Sequence, residues 1–225
     1  MPHFFGERHG DEVRITGADA RHLARSLRAR PGEAVLVVEP EGRLLLVRLR
    51  SVSDKVAEGV VESEREHRPE PAARVTMALA LLPAAALGEA LARCTELGAA
   101  GFVLVVAERR VVRAAKPERW AAICREAAML AGRLRVPEVA GPVSFAEAWG
   151  GAAEPFLLHQ GGGRRLAEAA SPRDVALFIG PEGGWTEAEL KRAGERVLTL
   201  GPRNLRAENA AAAALTVVLA ARGDL

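Results

Sequence analysis

The chain is poor in the residues that hold metals, form redox pairs or cross membranes. Its cysteines, Cys94 and Cys124, belong to no C-x-x-C pair and lie near no His/Asp cluster at metal-ligand spacing, so no metal is indicated. Each sits on an apolar helical stretch and reads as a buried free thiol. No apolar run reaches the length of a bilayer span. The best candidate, "AENAAAAALTVVLAA", is too short and opens on Glu208 and Asn209. The first residues, "MPHFFGERHGDE", lack the apolar centre of a secretory signal, so the expectation is a cytoplasmic protein with no membrane partner. Lysine is nearly missing: Lys55, Lys116 and Lys191 are the only ones, and the other bases are arginines. Arginine's planar fork suits phosphate, but its abundance alone decides nothing. No G-K-[ST] phosphate loop is present.

What is present is an ordinary globular composition, 49% hydrophobic and 27% charged over 225 residues, enough for a small and a medium domain. The net charge of +2 is unevenly spread: residues 101–140 hold eight Lys/Arg against four acids, a local +4. Residues 1–68 alternate in the β manner. "EAVLVVEP", "RLLLVRLRSV" and "KVAEGVVESE" are short strands punctuated by turn residues, the pattern of a small barrel or sandwich. One piece breaks this pattern, "GADARHLARSLRARPG". At helical spacing Ala20, Leu23, Ala24 and Leu27 share a face, and Arg21, Arg25 and Arg28 line an adjacent one beside His22. That face, with Arg109, Arg110 and Arg133 further on, offers candidate phosphate contacts for a nucleic acid.

After the polar, proline-bearing stretch "EREHRPEPAAR", residues 72–225 form a domain of different pattern. Apolar strands "VTMALALL", "GFVLVV", "PFLLH", "VALFIG" and "RVLTLG" alternate with helical stretches near 87–98, 117–132, 164–170, 186–196 and 207–221. Strand–helix alternation with wholly apolar strands predicts an α/β domain with a parallel sheet covered on both faces. Its last strands end alike, in Gln160-Gly161-Gly162-Gly163, Pro181-Glu182-Gly183-Gly184 and Pro202-Arg203-Asn204. Ligands of open α/β sheets bind at such strand ends. Thr186-x-x-Glu189 reads as a capping box, and Asn204 as a cap for the last helix. Prolines without N–H groups at these bends fit an adenosine with an amino-acid tail better than a pyrophosphate.

"FIGPEGGWTEAEL" followed by "LTLGPRNLRAENAAAAAL" resembles the paired C-terminal motifs of the SPOUT methyltransferases, and more closely those of the RsmE-type ribosomal RNA uracil-N3 methyltransferases. "CTELGA", "ERRVV", "ERW" and "AGRLRVPEV" extend the likeness, and "HFF" with "RHLARSLRARPGE" resembles that family's PUA-like RNA-binding domain. The resemblance implies a SPOUT-type parallel sheet with a C-terminal trefoil knot, preceded by a small PUA-like β-barrel. It implies a homodimer through the knotted domain and S-adenosylmethionine held by Leu158, His159, Gly180, Glu182, Gly183, Leu200, Gly201, Leu205 and Arg206. The implied activity is methylation of N3 of a uridine in small-subunit ribosomal RNA.

That reaction needs a proton acceptor and positive charge near the base oxygens. Arg206, at the start of the last helix, is the candidate cation. Glu208 is the nearest candidate base in sequence, with water and His159 as alternatives. Where relatives carry Gln-Ser before Gly132-Arg133 this chain has Leu130-Ala131, and Ala207 and Asn209 replace two threonines around Glu208. Those departures admit a non-catalytic RNA-binding or ribosome-assembly protein on the same scaffold, or a relative acting at another RNA position.

Overall fold

A computed structural model of the chain describes residues 3–39, 41–109, 116–169 and 174–225. The chain divides into two compact units, Met1–Glu70 with Ala128–Arg135, and Pro71–Ala127 with Val136–Leu225.

In the first unit β1 (His3–Phe5), β2 (Glu7–His9), β3 (Glu12–Thr16), β4 (Ala34–Glu39), β5 (Arg43–Val52) and β6 (Val56–Glu66) form one sheet in the order β1-β4-β5-β6-β3-β2. Only β1 and β4 run parallel. Alternation sends Val13 and Ile15, then Leu45, Val47 and Leu49, inward onto Phe4, Val37 and Met129, while Glu12, Arg14, Arg48 and Arg50 sit exposed at alternate positions. Register shifts at Leu46/Val47 and Leu49/Ser51 bend β5 against β6. Gly59 allows the close pairing there, since a Cβ would lie 2.6 Å from the Arg48 carbonyl oxygen.

The helical insertion departs from the expected face. It opens as α1 (Gly17–Arg21), widens into a π-helix over His22–Leu27 and ends at Arg28 in the left-handed region. Ala20 and Leu23 are buried, but Leu27 is 47% exposed. The wider π turn advances each residue by a smaller angle than the α spacing assumes, so the apolar stripe slides off its face after Leu23.

The second unit is a parallel sheet of β7 (Val75–Ala80), β8 (Gly101–Val106), β9 (Glu138–Ser144), β10 (Pro155–Leu158), β11 (Arg164–Arg165), β12 (Val175–Ile179) and β13 (Val197–Thr199), ordered β11-β13-β10-β12-β7-β8-β9. The helices are α2 (Ala84–Leu97), α3 (Pro117–Ala131), α4 (Phe145–Gly151), α5 (Glu187–Ala193) and α6 (Ala207–Ala221); the end of α3 belongs to the first unit. β10 and β12 are buried at every position, the signature of strands covered on both faces. Along β12, Val175, Leu177 and Ile179 enter the core beneath α2 and α6, and Ala176 and Phe178 enter the one beneath α4 and α5.

Two local expectations fail. Of the helix expected at 164–170, the described residues 164–169 form none: Arg164–Arg165 pair with β13, and a single 3₁₀ turn, Leu166–Glu168, buries Leu166. A segment that short cannot offset helix nucleation once a strand partner is available. β9 and α4 were not foreseen, because Gly141-Pro142 reads as a breaker; β9 lies at the sheet edge, where proline is tolerated. Ser144 and Glu147 then form a full capping box for α4. Both cysteines are buried as thiols, and burial pushes the Cys94 thiol up to about 12.

Candidate active site

Leu158 pairs in register with Ile179 of β12 and with Leu198 of β13, so these strands end abreast and their bends open side by side. The bends enclose a cavity of about 540 Å³.

The first bend is held by the His159 N–H donating to the Leu198 carbonyl at 2.9 Å and the Gly162 N–H donating to the His159 carbonyl at 3.1 Å. Gly162 presses against β13, where a Cβ would stand 2.6 Å from the Leu198 carbonyl carbon. The Gly161 N–H donates to His159 Nδ1 at 3.1 Å, which leaves the ring proton of neutral His159 on Nε2. Gln160 Nε2 donates to the Pro202 carbonyl at 3.0 Å and ties this bend to the third.

The second bend is fixed by Trp185. Its indole N–H donates to the Leu158 carbonyl at 3.2 Å, and its ring lies 3.0 Å from where a Cβ on Gly180 would sit. A larger residue at Gly180 would have to displace a ring that is only 3% exposed. The capping box read from the sequence is present: the Glu189 N–H donates to Thr186 Oγ1, and the Thr186 N–H to Glu189 Oε2. Buried Glu189 also accepts from the Glu108 N–H at 3.2 Å. Arg109 Nη1 donates to the Gly183 carbonyl at 3.1 Å.

The third bend turns at Gly201, with φ +119° and its N–H on Thr199 Oγ1 at 3.1 Å. Arg206, not Asn204, holds the N-cap position of α6, its carbonyl accepting from the N–H groups of Asn209 and Ala210. Asn204 lies two residues earlier and lines the cavity.

Every position assigned to the cofactor faces this cavity: Leu158 and His159 from the first bend, Gly180, Glu182 and Gly183 from the second, and Leu200, Gly201, Leu205 and Arg206 from the third. Glu208 is not on its wall. Ala207 and Ala210 are, and at about 100° per residue Glu208 turns away from both. Asn209 faces α2, where its Oδ1 accepts from Arg93 Nη1 at 2.7 Å. Trp185, Gln160 and Thr199 join the wall without having been singled out. A tryptophan directly after paired glycines was the available signal for the first of them.

The proposed phosphate contacts are scattered. Arg21, Arg25 and Arg28 are exposed, but Arg25 is ion-paired to Asp54, and its guanidinium holds the Asp54 carboxyl below the usual carboxylate range. His22 is half-buried against Phe4. Arg133 is 4% exposed, its Nε within 3.3 Å of both Glu70 carboxylate oxygens, while the Leu134 N–H donates to the same group. Arg133 thus secures the end of α3 and is no open contact. Arg110 lies outside the described residues.

Family models described as an RNA methyltransferase domain and an RNA methyltransferase PUA domain match residues 68–219 and 15–62. The ribosomal RNA small subunit methyltransferase E of Bacillus subtilis strain 168 is 33% identical over 226 residues, covering 91% of this chain and 88% of that protein. The chain belongs to the ribosomal RNA small subunit methyltransferase E family. A solved member of this methyltransferase E family from Neisseria gonorrhoeae, bound to S-adenosyl methionine, is 29% identical with a TM-score of 0.86 over 96% of this chain and 95% of that one. A methyltransferase from Legionella pneumophila, solved with the same cofactor, is 26% identical with a TM-score of 0.88 over 98% and 96%. The parallel sheet preceded by a PUA-like unit is the fold that this chain shares with both solved proteins.

Proposed function

We propose that the chain transfers a methyl group from S-adenosylmethionine to N3 of a uridine in small-subunit ribosomal RNA. The observation that carries this reading is the convergence of the bends after β10, β12 and β13 on one cavity.

The residues present suit that donor. The volume falls within the roughly 300–1,000 Å³ of small-molecule sites. Leu158, Ile179 and Leu200 offer apolar surface for a flat ring, and Glu182, the one carboxylate on the described wall, offers an acceptor for ribose hydroxyls. The N–H groups of Gly161, Gly162, Gly184 and Gly201 are spent on protein acceptors, which leaves fewer backbone donors for a phosphate. An adenosyl group with an amino-acid tail fits such a lining better than a pyrophosphate. Bound there, S-adenosylmethionine supplies an electrophilic methyl group.

The chain's own residues do the rest. The uracil imide must lose its N3 proton, and the negative charge spreads onto O2 and O4. Arg206 stands on the wall at the N-terminus of α6, where its guanidinium and the helix end both favour that charge. His159, with its proton on Nε2, acts as a donor that orients the base and not as the proton acceptor. Glu208 points away, so the proton leaves to water at the exposed rim formed by Glu182, Gly183 and Arg203. Exposed Arg21 and Arg28 of the first unit contact the RNA backbone. In this reading the chain is cytoplasmic, is knotted through these bends and dimerises through the same domain.

Calorimetry with S-adenosylmethionine is expected to give one binding event per chain, abolished when Gly180 is replaced by valine. Mass spectrometry of ribosomal RNA from a strain lacking the protein is expected to show one missing N3-methyluridine. An unchanged methylation pattern would sink the proposal.

A further inference from the structure

Arginines at the surface of the first unit are largely engaged by carboxylates: half-buried Arg8 with Glu64, and exposed Arg25 with Asp54, Arg43 with Glu64, Arg48 with Glu62 and Arg50 with Glu12. Around the cavity the pattern reverses. Arg164, Arg165, Arg203 and Arg206 are exposed, and among the described residues none of their guanidinium groups has an ion pair or hydrogen-bond partner. Arg203 and Arg206 line the cavity itself. Arg165 is paired in register with Thr199, which also lines it, and neighbouring strands lie about 4.8 Å apart, so β11 runs one strand spacing from the wall. Glu182 is the only carboxylate facing this group from the described wall.

We propose that Arg164 and Arg165, with Arg203, form a phosphate-binding rim that grips the RNA strand on either side of the base entering the cavity. The inference rests on the methyltransferase reading and adds the surface that holds its substrate. Single-stranded RNA is read by splaying a base into a pocket while cations hold its flanking phosphates. A guanidinium with no carboxylate partner can engage a phosphate without first giving up an ion pair, and its planar fork matches two phosphate oxygens. β11 is also the edge strand of the sheet, and charge on an edge strand guards against strand addition by another chain. The two roles predict different measurements.

The test is binding of the full chain to in-vitro-transcribed small-subunit ribosomal RNA across a series of salt concentrations. R164A/R165A is expected to weaken binding roughly tenfold or more. The plot of log affinity against log salt should become shallower by about 0.7–0.9 for each phosphate that is no longer neutralised. R164K/R165K should keep the slope and lose part of the affinity. R196A, removing one arginine at the opposite end of β13 where Arg196 borders Asp174, should leave both unchanged. R164Q/R165Q keeps a polar edge, so poor solubility of the alanine variant does not block the measurement. Wild-type affinity and slope in both the alanine and glutamine variants would overturn the rim and leave β11 as edge protection. Calorimetry with S-adenosylmethionine on the same proteins separates the two claims. Intact cofactor binding with unchanged RNA binding sinks only the rim, and absent cofactor binding in the wild type sinks the methyltransferase reading.

Discussion

The two units use the same residue type in opposite ways. In the curled sheet, arginine is a structural cation matched to glutamates and aspartates along β5 and β6 or buried against Glu70. At the C-terminal ends of β10, β12 and β13 it is left without a partner among the described residues, beside a cavity built from glycine bends. The lesson is that availability of charge, more than its density, marks a surface prepared for a ligand. Residues 101–140 carry a local +4, yet Arg133 in that stretch is spent on Glu70 and Arg109 on the Gly183 carbonyl.

The largest test of this contrast is Arg206→Ala. Losing the cation proposed to face the base at the start of α6 is expected to lower single-turnover methylation by roughly 10²–10³-fold, a larger effect than any loss of S-adenosylmethionine affinity from its place on the cavity wall. A drop in cofactor affinity with kcat preserved would instead make Arg206 a binding residue. Next is Trp185→Phe, which keeps the ring against Gly180 and orphans the Leu158 carbonyl. The penalty for that missing bond is about 1–3 kcal/mol, read as a lower Tm and weaker cofactor binding; an unaffected cavity would show that the indole N–H does not hold the bends together.

A smaller effect belongs to the first unit and to pH. His3 stacks on His67 with ring centroids 5.7 Å apart, and burial, with the neighbouring His67, holds the His3 imidazole below its usual value. A histidine depressed in the folded state stabilises the fold while neutral, so this contribution is complete above about pH 6.5 and is lost as the pH falls through the lowered value. The Tm should therefore decline on acidification below neutrality, and His3→Phe should flatten that decline; a parallel decline in the variant would assign it elsewhere. The smallest effect is expected from Glu208→Gln, with methylation within about twofold of wild type, as for substitutions away from the reacting atoms. A loss near that of Arg206→Ala would return Glu208 to the chemistry.

The sequence revealed the cavity better than the surface. Glycines and prolines at strand ends are constrained by backbone geometry that any reader can apply and pointed to the bends; the individual cofactor positions came with the family resemblance, and all of them line the cavity. The capping box at Thr186 was legible for the same local reason. Glu208 lies off the cavity wall, since nearness in sequence says nothing about which side of a helix a side chain leaves. Arg133 is buried on Glu70, and a positive charge does not announce its partner: Glu70 is 63 positions away. Leu27 failed because a π turn changes the angular step without leaving a mark in the hydrophobic pattern. Pairing between distant segments was the missing knowledge each time.

One detail of strand order reaches into the making of the molecule. Among the described strands β11 has no neighbour but β13, and β13 is inserted between β11 and β10, so the segment at 164–165 waits for residues 197–199 before it can join the sheet. The same late arrival brings Leu200 to Arg206 and closes the pocket. A chain still emerging from the ribosome therefore has an incomplete cavity until this last stretch is out, so completion of the pocket is tied to the final step of synthesis.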